Sequence, residues 1–201
     1  SLHYYLLASK DGITIGKRYF KHENNKEDYP FSPSGHNLYD NNSKLYYCRD
    51  FDNIVYQIHE DSVVPRFRIN LPNPLPASMI EERPNEMSLL RSGYSLGITD
   101  IYEYGGLLFF RFVKDGYIWS CLYNVEESKQ VYCAKRIKFL DSSLIDTIDG
   151  IYKDCFYSIL TPEYLDYAFS ENPLEDYPDL FKTYDVEGDN PVIAFYRAVV
   201  R

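Results

Sequence analysis

The chain has 201 residues and a formal net charge of −9, from 21 Lys and Arg against 30 Asp and Glu. With 45% hydrophobic and 25% charged residues it has the proportions of an ordinary globular chain, which excludes disorder, collagen-like repeats and coiled coil. The acidic balance argues against DNA, RNA or anionic membrane as partners, because Lys and Arg drive binding to phosphate groups.

Twenty-one Tyr, 12 Phe and one Trp make 17% of the chain aromatic, which with only 10 Gly and 2 Met favours strands over helices. No apolar run approaches the roughly 20 residues that span a bilayer. The start, Ser1-Leu2-His3-Tyr4-Tyr5, lacks the basic and apolar regions of a signal peptide. The expectation is a soluble chain or the soluble part of a longer one.

In chain order, residues 2–9 and 13–20 read as two strands joined at Lys10-Asp11-Gly12. Residues 36–41, 44–49, 54–59 and 63–71 follow as a four-stranded antiparallel meander, with turns at Asn42-Ser43, Asp52-Asn53 and Glu60 to Ser62. A long loop rich in Pro, Glu and Arg covers 72–97, with a short helix around 86–91. A second meander takes residues 98–104, 107–113, 117–125 and 130–139, turning at Gly105-Gly106, Lys114-Asp115-Gly116 and 126–129. In Leu107-Leu108-Phe109-Phe110 both alternating faces are apolar, so sheets must stack on both sides. A third copy begins at Ile145 and runs through Cys155-Phe156-Tyr157-Ser158-Ile159-Leu160. It is interrupted by an insertion over 161–190, where Thr161-Pro162 and Asn172-Pro173 each open a short helix. A last strand occupies 191–200.

Recurring four-stranded meanders specify an all-β chain of β-propeller blades. A Greek-key sandwich is the rival architecture, but its strands would not recur as local meanders. The division is a partial blade over 1–20, blades over 35–71 and 98–139, and a partial blade over 145–201. That amounts to about half of a six-bladed ring, which either a second copy of the chain or a missing N-terminal half would complete.

Cys48, Cys121, Cys133 and Cys155 fall singly, without metal-ligand spacing, so no metal or other cofactor is expected. A turn over 126–129 sets Cys121 nearly opposite Cys133. A cross-strand disulfide is open to them, but buried free thiols are the expectation.

Asp52-Asn53-Ile54-Val55-Tyr56-Gln57-Ile58, followed by Val64-Pro65-Arg66-Phe67-Arg68-Ile69-Asn70-Leu71-Pro72, resembles an outer hairpin of the six-bladed β-propeller proteins abundant in Bacteroides and its relatives. The ending Asp189-Asn190-Pro191-Val192-Ile193-Ala194-Phe195-Tyr196 is similar to their terminal strand. The resemblance implies an uncharacterised, exported and often lipid-anchored protein, periplasmic or at the cell surface. It brings no catalytic motif, and this sequence departs from it in lacking an N-terminal half and a lipoprotein signal.

In a propeller the long loops gather on one face around the channel, which is where a site is expected. His36, Asp100 and Asp146 begin inner strands at the channel mouth; the two carboxylates read either as an acid–base or cation-binding pair or as turn and strand-edge caps. Arg83 and Arg91 could fork onto a carboxylate or sulfate, or answer Glu81, Glu82 and Glu86 within their loop. Tyr94 could stack on a sugar ring, or fasten its loop to a sheet end. No GxSxG, phosphate loop or HExxH occurs. The expected function is therefore non-catalytic binding of a small molecule, a glycan fragment or a partner protein. The alternative is a carbohydrate-active hydrolase or lyase with carboxylates at the channel mouth.

Overall fold

A computed structural model describes residues 4–11, 14–21, 36–82, 84–135, 137–139, 142–145, 148–171, 183–185, 187–188 and 190–197. The chain is built mostly of antiparallel strands in local order. β1 (Tyr4–Ser9) and β2 (Ile15–Lys21) form a hairpin, called sheet I here. Sheet II is the meander β3 (Leu38–Asn41), β4 (Lys44–Cys48), β5 (Ile54–Ile58) and β6 (Val63–Arg68). After two single-turn helices, α1 (Ala77–Glu81) and α2 (Glu86–Leu90), sheet III repeats the plan with β7 (Ser95–Tyr104), β8 (Leu107–Lys114), β9 (Tyr117–Asn124) and β10 (Lys129–Ala134).

The strand expected over 130–139 is divided. β10 leaves β9 at Ala134, where the Lys135 ammonium lies 3.5 Å from the centre of the Tyr117 ring instead of extending the ladder. β11 (Ile137–Phe139) then pairs forward with β12 (Ser142–Ile145), so Ile145 ends a hairpin and does not open the last sheet. Sheet IV consists of β13 (Gly150–Tyr152), β14 (Cys155–Leu160) and, after α3 (Pro162–Glu171), β15 (Val192–Tyr196). Thr161 caps α3 by accepting from the Tyr164 amide at 3.3 Å. A helix opening at Asn172 falls outside the described residues.

Turn chemistry sets these registers. Gly105 and Gly106 both take positive φ, +57° and +76°, the geometry of a tight two-residue hairpin, and β7 pairs directly with β8 from Tyr104↔Leu107 onward. Gly97, at φ +98°, answers a second need: a Cβ there would meet the Phe51 backbone at 2.7 Å.

The core lies between sheets. Tyr39, Tyr46, Cys48 and Val55 of sheet II, at 0–2% exposure, share one cluster with Ile101, Leu108, Phe110 and Phe112 of sheet III. The opposite face of sheet III, carrying Leu107 and Phe109, is buried as well, on the side of Phe156 and Leu160 in sheet IV. Burial of both faces is the reason for the continuous apolar run in β8.

Side-chain hydrogen bonds then tie the β3–β4 hairpin to β7 and to the β13–β14 turn. Asn41 donates through Nδ2 to the Ile101 carbonyl at 3.1 Å and accepts at Oδ1 from the Glu103 amide at 2.6 Å. Asn42 donates to the Lys153 carbonyl at 2.9 Å, tying the β3–β4 turn to the β13–β14 turn.

Candidate functional site

Where β3, β7 and β13 meet, a cavity of about 280 Å³ opens, lined by His36, Tyr39, Asp40, Tyr102, Asp149 and Tyr157 together with Leu38, Asn42, Gly150 and Ile151. Its walls are held from several directions. The Asp100 amide donates to the Tyr39 hydroxyl at 3.0 Å, and that hydroxyl donates to the His36 carbonyl at 2.7 Å. The Tyr102 hydroxyl donates to the Asp149 carbonyl at 2.9 Å, and the Asp149 carboxylate accepts from the Ile159 amide at 2.7 Å. Gly150 lets the Tyr157 ring lie across the backbone; a Cβ at that position would meet the ring at 2.6 Å.

The rings are set edge to face. His36 and Tyr39 are tilted at 4.7 Å, and Tyr39 meets Tyr102 at 6.1 Å and 89°. Burial pushes the Tyr102 hydroxyl well above its ordinary range, and the neighbouring Asp100 and Asp149 carboxylates push the same way. Tyr102 is therefore a protonated donor at neutral pH. The cavity offers carboxylate acceptors, tyrosine faces and an imidazole, which suits a ligand rich in hydroxyl groups.

Of the residues singled out from the sequence, His36 lines this cavity. Asp100 lies behind it at a bulge with φ +52°, where its carboxylate takes two donors from Arg111: Nε at 2.8 Å and Nη2 at 2.7 Å. Tyr94 packs, half-buried, on a small separate cluster of Leu89, Leu96 and Val113. Arg91 ends α2 in an exposed position, and neither residue lines the cavity. Arg83 and Asp146 lie outside the described residues. Among the described residues no group of three or more His, Cys, Asp or Glu is placed to hold a metal ion.

Sequence reasoning missed Asp40, Tyr102 and Tyr157. Alternation along the short inner strand β3, with Leu38 and Asp40 exposed and Tyr39 and Asn41 buried, was the available signal for Asp40. Tyr157 carries none until the Gly150↔Tyr157 pairing is known.

No family model matches the chain, and no curated protein matches it in sequence. One solved structure shares its fold. A crystal structure of a "Putative exported protein" from Bacteroides fragilis NCTC 9343 superposes with a TM-score of 0.70 at 15% identity. The match covers 96% of this chain and 57% of that one, so the chain spans little more than half of the neighbour's length. At that identity the likeness is one of fold.

The thiols differ from expectation. Cys121 and Cys133 are direct partners in the β9–β10 register, with Cα atoms 4.1 Å apart, and form a disulfide. Their pairing leaves only Cys48, buried, and Cys155, half-buried, as free thiols. A structural disulfide accords with an oxidising, extracytoplasmic setting. No helix among the described residues is long and apolar enough to cross a membrane.

Proposed function

We propose that the chain is part of an exported six-bladed β-propeller whose function is binding, and that a glycan fragment occupies the cavity among β3, β7 and β13. The observation that carries this reading is the lining itself: tyrosine rings and carboxylates converge at the meeting point of three inner strands. Sugars are bound by such combinations of ring faces and hydrogen-bond acceptors.

The propeller reading has a second support in the outermost faces. On sheet II, Leu38 and Leu45 are 46% and 38% exposed on the face that carries Tyr47, on which Phe20 of the sheet I hairpin stacks at 5.3 Å. On sheet IV, Tyr152, Ile159, Ile193 and Phe195 are 47–55% exposed. Apolar faces at both ends of a sheet stack are what an interrupted ring leaves, and further sheets would cover them. Light scattering with intact mass tests this: a particle of twice 23.7 kDa supports closure by two copies. A stable 23.7 kDa monomer requires the covering sheets to come from elsewhere.

Binding is tested by ligand-observed NMR against neutral mono- and oligosaccharides, with Asp40→Asn and Gly150→Ala as variants. The expected result is saturable binding that both variants weaken. Turnover of any sugar would replace this reading with the acid–base one, and no binding in the closed particle would overturn both.

A further inference from the structure

On the outer side of sheets II and III, β6 and the segment after it stand off from β8, β9 and β10. Two adjoining cavities of about 450 and 390 Å³ result, sharing Ile69, Asn70, Phe110 and Gln130. The floor of the first is aromatic: Phe112 and Trp119 stack at 6.2 Å, beside the Cys121–Cys133 disulfide. Two observations give this groove a chemical preference. Its charged lining among the described residues is Lys114, Arg66 and Arg68, with no carboxylate among them, although the protein carries a formal charge of −9. Arg66 is neutralised by Glu103 at 3.1 Å, whereas Lys114 and Arg68 take no ion pair among the described residues.

We propose that this groove binds an amphipathic carboxylate. Its head pairs with Lys114 in the first cavity, over the Phe112 and Trp119 rings. Its apolar body lies along Phe110 and Ile69 toward the second cavity, with Arg68 at the far rim. A neutral amphiphile would fill the same space without meeting Lys114, and a cationic one would place like charges together.

Trp119 is the one tryptophan of the chain, so its emission reports on this groove alone. The test titrates the intact protein with decanoate, decanol and decyltrimethylammonium, each below its micelle concentration. Saturable quenching or shift of Trp119 emission by decanoate is expected, at least about tenfold tighter than by decanol, as a charge-assisted contact implies. Decyltrimethylammonium should not compete. Lys114→Met should weaken decanoate about tenfold and leave decanol unchanged. Absence of a saturable response, or equal responses to all three amphiphiles, overturns the proposal.

Discussion

The packing of sheets II and III leaves two cavities of opposite character. The inner one, where sheet IV also joins, is walled by Asp40 and Asp149 among tyrosines; the outer one carries Lys114, Arg66 and Arg68 and, among the described residues, no carboxylate. Between them Glu103, its side chain 9% exposed, receives Lys44 and Arg66 at 3.1 Å each and the Tyr46 hydroxyl. Burial alone would raise the Glu103 carboxyl, but these three donors together hold it below its ordinary value. The lesson is that an acidic chain can still present a cationic groove: what decides local charge is which side chains each strand turns toward a gap.

Because both cavities rest on one interface, breaking that interface should lose both. Ile101→Ala removes a 0% exposed side chain between them and is expected to cost about 3 kcal/mol by denaturant unfolding. A loss below about 1 kcal/mol would mean that other contacts hold the two sheets together. Reduction of Cys121–Cys133 should act on the outer cavity alone. Freeing that 12-residue separation costs about 3 kcal/mol at most in the chain-entropy model, and sugar binding at the inner cavity should persist in the reduced, folded protein.

Glu103→Gln sharpens the comparison further, with an expected cost of about 1–2 kcal/mol at neutral pH. The carboxyl titrates lower when folded than its ordinary 4.5, so its contribution is present above that value. It is lost as pH falls through the folded value, and the stabilities of wild type and variant should converge in acid. Equal acid sensitivity in the two proteins would show that Glu103 is not the group responsible. The smallest effect belongs to the surface: Lys17–Asp61, at 2.8 Å, has side chains 42% and 79% exposed, so Lys17→Ala should leave the melting temperature unchanged at physiological salt.

The meanders were legible because their turns are punctuated and their strands are apolar on both faces. Asn42-Ser43, Gly105-Gly106 and Asp115-Gly116 all take positive φ, and each turn residue type announced it. Where β10 departs from β9, no turn residue marks the change; Lys135 and Arg136 interrupt the alternation of Val131 and Cys133, and Ile137 and Phe139 resume it in the same phase. The disulfide was half legible: spacing set the two cysteines opposite, but spacing cannot tell a bond from a contact. The site was legible only as a neighbourhood. Inner-strand starts pointed to His36, while the bulge that turns Asp100 toward Arg111, and the cavity wall at Tyr157, follow from tertiary packing alone.

The arrangement of the four cysteines also bears on how the chain matures. Cys121 and Cys133 belong to one hairpin, so their pairing needs only a local loop to close. Cys48 is sealed in the interface of sheets II and III, and burial pushes its thiol far above the ordinary range, leaving almost no thiolate to attack a neighbour. Oxidative folding of this chain should therefore run without an isomerase, because closure of the core is faster than thiol oxidation and removes the most dangerous competitor from solvent before the local bond forms.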